Sequence, residues 1–253
     1  MLKRFVDKVA VITGASQGIG FSIAEILATE GAIVYLVDID KIQGEVAAKT
    51  LVSKGLRAHF IACDITSEKA LQSMVSQIKE EAVHVLCNNA GVELSKGVET
   101  TTIEEWDLVS NVNLRGPFMV TKVLLPLLEV AKGAAIVNTA SISGLVGWPE
   151  SMAYCASKGG VVMLTKQMAC DLAVKQIRVN CICPGTTRTP MIERLIGSGP
   201  EAEKEAHDIA ERHLLKRFAE PREIAQAAVF LASKEASFVT GAVLPVDGGY
   251  TAK

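Results

Sequence analysis

The sequence predicts an α/β fold, a doubly wound parallel sheet of about seven strands with helices on both faces. Three observations predict it. Short apolar, β-branched runs alternate with helix-compatible stretches along nearly the whole chain. The first run stops at a glycine-rich turn that opens into a helical stretch. The second run stops at a carboxylate, Asp38. Strand, glycine turn, helix, strand and acidic residue form the outline of a dinucleotide-binding βαβ unit.

The elements follow in order. Residues 9–13 are apolar and β-branched, as in a strand buried on both faces. In Gly14-Ala15-Ser16-Gln17-Gly18-Ile19-Gly20 the glycines permit a tight turn and close backbone approach. The helix at 21–29, closed by Gly31, then offers free N–H groups at its start to a pyrophosphate. Residues 33–37 form the second strand, and Asp38 falls where a carboxylate accepts hydrogen bonds from an adenosine ribose. A carboxylate there repels a 2'-phosphate, and no cation is close in sequence, since Gln17 lies in the loop and Ile39 follows Asp38. NAD is therefore expected over NADP.

A helix at 43–53 leads to a third strand at 58–63, ending at Asp64, with Thr66 as N-cap of a helix reaching 82. The fourth strand, 83–87, stops at Asn88-Asn89-Ala90-Gly91. Ligands of such sheets bind beyond the carboxyl ends of the strands, where Asp64 and this turn lie. Asn88 would tie neighbouring strands together, while Gly91 lets a cofactor approach. Residues 104–130 are helical, with Pro117 and Pro126 predicting bends or breaks. A fifth strand at 134–140 ends at Ser141, and a proline-free helix spans 153–174. The sixth strand, 176–183, closes at Pro184-Gly185. Residues 190–215 interrupt the alternation and read either as a lid over the ligand edge or as a solvated surface helix. A helix at 221–231 and a strand at 241–246 complete the chain. With no repeat or linker, residues 1–253 read as one domain.

Composition excludes several function classes. Hydrophobic residues make up 49% and charged residues 21%, and the net charge is −2, which gives a polyanion such as nucleic acid no basic surface. Four histidines without an HxxxH pair and six cysteines without CxxC argue against a metal site. Cys181 and Cys183 read as buried thiols. No apolar run reaches membrane-spanning length, and Asp7 and Lys8 interrupt any signal-type segment after Lys3 and Arg4. A cytoplasmic location is the expectation.

The chemistry points to Tyr154 and Lys158. Four residues apart on a helix, they share one face. A phenol with pKa of about 10 is a poor base at neutral pH, but a nearby ammonium favours the phenolate. Such a pair would act as a tuned acid/base near pH 7. Alone, a Tyr-x3-Lys spacing is common.

Taken together, the motifs resemble the short-chain dehydrogenase/reductase family, of Rossmann type, over nearly the whole length. Thr13 to Gly20 matches the family's Thr-Gly-x3-Gly-x-Gly, and Asn88 to Gly91 its Asn-Asn-Ala-Gly. Asn113-Leu114, Ser141, Tyr154 with Lys158, Pro184-Gly185 and Thr189 match in turn. The resemblance implies that Tyr154 is the general base in alcohol oxidation and the general acid in ketone reduction. Lys158 would lower the Tyr154 pKa and hold the nicotinamide ribose, Ser141 would orient the substrate oxygen, and Asn113 would hold a proton-relay water. Asn113 is chosen over Asn111 because Leu114 follows it. The cofactor contacts implied or read are Gly14, Ser16, Gln17, Gly18, Ile19, Gly20, Asp38, Ile39, Asp64, Ile65, Asn89, Ala90, Gly91, Tyr154, Lys158, Pro184, Gly185, Thr187 and Thr189. His84, where the family often has Asp, and Cys87 depart from the pattern at strand positions. Cys155 would point off the catalytic face.

Substrate contacts are expected from Ser141, Ser143, Trp148, Tyr154, Thr186 and Met191, with Leu195 nearby. Glu93 and Glu150 read as surface charges; a carboxylate facing the pocket instead would favour hydroxylated over anionic substrates. The function expected is hydride transfer between NAD and a secondary alcohol or ketone, whether small alcohol, polyol, sugar or hydroxy acid. The alternatives are a 3-oxoacyl-thioester reductase, against which Asp38 counts, and a non-catalytic nucleotide-binding scaffold. The resemblance also implies a homotetramer through the long helices and the C-terminal segment.

Overall fold

A computed structural model describes residues 3–253. Seven runs become strands, β1 (Val9–Thr13), β2 (Ile33–Asp38), β3 (Ala58–Ala62), β4 (Val85–Asn88), β5 (Ala135–Thr139), β6 (Arg178–Pro184) and β7 (Val243–Val246). They form one sheet in the order β3-β2-β1-β4-β5-β6-β7, every pair parallel. Chain order reverses between β1 and β4, so the crevice for a ligand opens there, above the strand ends.

The central strands are mostly apolar because both their faces are covered, whereas the edge strands β3 and β7 are partly exposed. Val9, Val11, Tyr35, Val37, Leu86 and Ile136 pack on one face; Ala10, Ile12, Val34, Leu36, Val85 and Val137 pack on the other. This strict alternation is the period of an extended chain. The second face is closed by α1 (Gly18–Thr29), α2 (Lys41–Ser53) and α9 (Pro221–Ala232), through Ile23, Leu27, Leu51 and Val229. The first face is closed by α3 (Glu68–Gln77), α5 (Gly116–Val130) and α6 (Met152–Leu172), through Leu71, Met74, Leu124, Leu128 and Met168.

Several boundaries differ from the sequence reading. Ser67, not Thr66, caps α3, its hydroxyl accepting from the Ala70 N–H (3.3 Å), and α3 stops at Gln77. The stretch read as one helix is three pieces, namely α4 (Ile103–Ser110), a π turn (Asn111–Arg115) and α5. Neither proline breaks α5. Pro117 sits in its first turn, where proline fits, and Pro126 lies inside a helix held by the buried Leu124 and Leu128. Residues 190–215 are not irregular: they carry α7 (Pro190–Ile196) and α8 (Pro200–Glu211). None of the helices is long and apolar enough to cross a membrane, among the described residues.

Candidate active site

The strand ends supply the floor of a cleft of about 650 Å³. At its cofactor end, β1 runs into the glycine turn. Gly14 has φ +62°, and a Cβ there would lie 2.7 Å from the Ala90 Cα, so only glycine lets the turn rest on the end of β4. The Thr13 hydroxyl accepts from the Asn89 and Ala90 N–H groups (3.0 and 3.1 Å), and Asn89 Nδ2 donates to the Gly14 carbonyl (3.1 Å). Asn89 therefore fastens two loops together. Gln17, Gly18 and Ile19 line the cleft at the start of α1, which has no side-chain cap and no acid in its first turn. These free N–H groups and the helix dipole suit a pyrophosphate.

Asp38 ends β2 in the same cleft. Its carboxylate accepts from the Ser16 N–H (3.0 Å) and the Asp40 N–H (3.1 Å). Asp40 and Asp64 also line this end, and among the described residues Lys158 and Arg194 are the cleft's only Lys or Arg side chains. Asp64 itself accepts from the backbone and hydroxyl of Thr66 (2.9 and 2.7 Å), so its carboxylate holds a turn. Ile39 and Ile65 complete the walls.

At the catalytic end, β5 delivers Ser141 and α6 delivers Tyr154 and Lys158. Asn88 ties the strands together as expected. Its Nδ2 donates to Asn138 Oδ1 (2.9 Å) and to the Thr121 hydroxyl (3.2 Å), and Asn138 donates on to Thr165 (2.9 Å). β4, β5, α5 and α6 are thereby locked beneath the site. The turn after Ser141 presses on α6, where a Cβ on Gly144 would lie 2.7 Å from the Lys158 backbone. Lys158 is buried, its Nζ 5.6 Å from the centre of the Tyr154 ring. Its one hydrogen bond among the described residues goes to the Thr139 carbonyl (2.9 Å), which leaves two donors for a ligand.

The electrostatics correct one expectation. Burial pushes the Tyr154 phenol well above its ordinary value, and the Glu93 carboxylate adds to this, against the Ser141 hydroxyl, which pulls it down. Burial also lowers the Lys158 ammonium to about 8, with Glu93 opposing. In the protein by itself the pair is thus not poised near pH 7, because loss of solvent outweighs the attraction of the ammonium.

Asn113 does not line the cleft. The π turn buries it beside the loop after β4, where its Nδ2 donates to the Val92 carbonyl (2.9 Å) and the Ser157 hydroxyl (3.1 Å), and its Oδ1 accepts from the Val92 N–H (2.8 Å). Gly20 is likewise behind the wall, since a Cβ there would lie 2.2 Å from the Gly14 carbonyl. Ser143, Trp148, Thr186, Met191 and Leu195 line the substrate end, with Gly91, Pro184, Gly185, Thr187 and Thr189 beside them. Glu150 is exposed outside the cleft, whereas Glu93 lines it, against the reading as a surface charge. His84 is a support: its Nδ1 accepts from the Val9 N–H (3.2 Å). All six cysteines are free, with Cys63, Cys87, Cys181 and Cys183 buried.

Two supports escaped the sequence reading. Ser157 links Asn113 to α6 by donating to the Tyr154 carbonyl (2.8 Å); its place between Tyr154 and Lys158 was the available signal. His213 is buried and accepts the Thr186 N–H on Nε2 (3.2 Å) while its Nδ1 faces the Ile209 carbonyl (3.1 Å). It joins the end of α8 to the turn after β6, and no motif marks it.

A family model described as enoyl-(acyl carrier protein) reductase matches residues 14–251. The chain is 42% identical over 251 residues to a cyclopentanol dehydrogenase of Comamonas sp. (strain NCIMB 9872), covering 98% of this chain and 99% of that one. It is 41% identical to a meso-2,3-butanediol dehydrogenase of Serratia marcescens, covering 98% and 96%. The ligand-free aldohexose dehydrogenase of Thermoplasma acidophilum superposes with a TM-score of 0.91 at 34% identity, covering 100% of this chain and 97% of that one. With these matches and this fold, the chain belongs to the short-chain dehydrogenase/reductase family and is an oxidoreductase that works with a nicotinamide cofactor.

Proposed function

We propose that the chain is an NAD-dependent dehydrogenase of secondary alcohols, reversible as a ketone reductase. The observation that carries this reading is one continuous cleft with Asp38 at one end and Ser141, Tyr154 and Lys158 at the other. Two of the relatives, named for cyclopentanol and for meso-2,3-butanediol, support alcohols as substrates.

The free N–H groups of α1 would hold the pyrophosphate, Ile65 and the Asp64 turn would flank the adenine, and Asp38 would accept from the ribose hydroxyls. The two unused donors of Lys158 would hold the nicotinamide ribose, and Pro184, Gly185, Thr187 and Thr189 would position the carboxamide. When bound, the nicotinamide supplies the hydride acceptor and a positive charge. Ser141 orients the substrate hydroxyl, and the Tyr154 oxygen takes its proton. With the amide of Asn113 engaged, a relay water falls to its backbone carbonyl, in a π turn of the kind that often marks functional sites. Lys158, together with the positive charge that an oxidised nicotinamide would supply when bound, would favour the Tyr154 phenolate against the burial that raises it. Helices α7 and α8 cover the substrate end as a lid at about 190–215. The enzyme is a cytoplasmic homotetramer in this reading.

Preference for NAD follows from three carboxylates, Asp38, Asp40 and Asp64, at the adenosine end with no cation among them. Side-by-side rates of cyclopentanol oxidation with NAD and NADP test it. NAD wins in the native protein, and Asp38→Ala narrows the ratio. A native preference for NADP would overturn the assignment.

A further inference from the structure

Glu93 is a carboxylate lining the cleft whose charge is felt by Tyr154 and Lys158, but to which no proton or hydride is assigned. Its backbone is fixed on both sides. Val92, just before it, exchanges two hydrogen bonds with Asn113 (2.8 and 2.9 Å). Lys96, three residues after it, is bridged to Ser151, and the Met152 N–H donates to the Lys96 carbonyl (3.2 Å). The loop is thereby clamped to the head of α6, three residues ahead of Tyr154. The nearest lysine in sequence, Lys96, is paired with Glu105 (2.6 Å), and no salt bridge engages Glu93 among the described residues. A half-buried carboxylate with open acceptor positions thus looks into the cleft from the same side as the catalytic pair.

We propose that Glu93 is a specificity-determining residue that accepts a hydrogen bond from a second hydroxyl of the substrate, beside the reacting carbinol, so that the preferred substrates are vicinal diols and related polyols. This rests on the dehydrogenase reading above. An ionised carboxylate is acceptor-only, so the matching ligand group is a donor. Carboxylate and phosphate substrates are repelled. A substrate ammonium would meet the Lys158 ammonium at the same end of the cleft, which leaves the neutral hydroxyl as the best partner. Burial raises the carboxyl pKa, with Lys158 and the Ser151 hydroxyl opposing, as expected for an acceptor short of solvent. A site with such an acceptor discriminates against the analogue that lacks the hydroxyl, because the buried group is then left unpaired. The relatives, named for a monoalcohol and a diol, leave this choice open.

The test compares kcat/KM for cyclopentanol with that for cis- and trans-cyclopentane-1,2-diol, with NAD, in the native protein, Glu93→Gln and Glu93→Ala. The native protein prefers a diol by about tenfold or more, the size expected for one unpaired buried acceptor. The diol-to-monoalcohol ratio collapses in Glu93→Ala and is partly kept in Glu93→Gln, whose carbonyl still accepts. Equal native rates on diol and monoalcohol overturn the role of Glu93 and leave the dehydrogenase standing, as does a ratio that Glu93→Ala leaves intact. A native protein that reduces NAD with neither overturns both readings.

Discussion

Lys158 is held at an unfavourable place on purpose of function, and its energetics are measurable. Its ordinary pKa is about 10.4, and burial lowers it to about 8 in the folded protein. The folded state therefore binds fewer protons than the unfolded chain between these values, and stability rises with pH across that window. Below pH 8 the buried ammonium destabilises the fold. Replacing it by Met should raise the unfolding free energy from urea titration at pH 7, by up to about 3 kcal/mol, and the gain should shrink as pH rises from about 8 to about 10. A lower midpoint for Lys158→Met at pH 7 would contradict this. Tyr154, Lys158, Ser141 and Asp38 were legible as residues because their chemistry is tied to short spacings or strand ends. Glu93 was misjudged because sequence does not say which way a loop side chain turns. His213 was invisible because its partners, Thr186 and Ile209, come together only through the packing of α8.

At the scale of elements, alternation of apolar runs located all seven strands, since burial on both faces leaves a signal in nearly every residue of the central ones, and the edge strands β3 and β7 keep short β-branched or apolar runs. Helix ends were less legible. The π turn between α4 and α5 has no residue-type signature; it shows in the way Asn113 is drawn toward Val92 and Ser157. The prolines misled for a related reason, because a first-turn proline and one compensated by packing look alike in sequence. Helices α4, α5 and α6 leave Trp106, Phe118 and Met163 exposed, and Phe238 near the C-terminal strand is fully exposed. Burial of such side chains between copies would be the physical motive for the proposed homotetramer. Light scattering should give four times the 26.9 kDa chain mass. A monomer at micromolar concentration would contradict it.

For the whole molecule, the decisive feature is where chain order reverses. β1 and β4 lie side by side, so the glycine turn and the Asn88–Gly91 turn meet over one crevice, and β5 and α6 bring the proposed catalytic side chains to its other end. The outline of this arrangement was readable from strand order and motif spacing. The electrostatic state was not, because desolvation depends on everything packed around Tyr154 and Lys158. The central claim is that Tyr154 moves the proton while the rest of the cleft holds the cofactor. Single-turnover reduction of NAD by an alcohol substrate, measured together with NADH affinity in Tyr154→Phe, tests it most directly. Loss of turnover by about 10²–10⁴-fold, with NADH affinity nearly unchanged, is the predicted result. Turnover close to that of the native protein would contradict it.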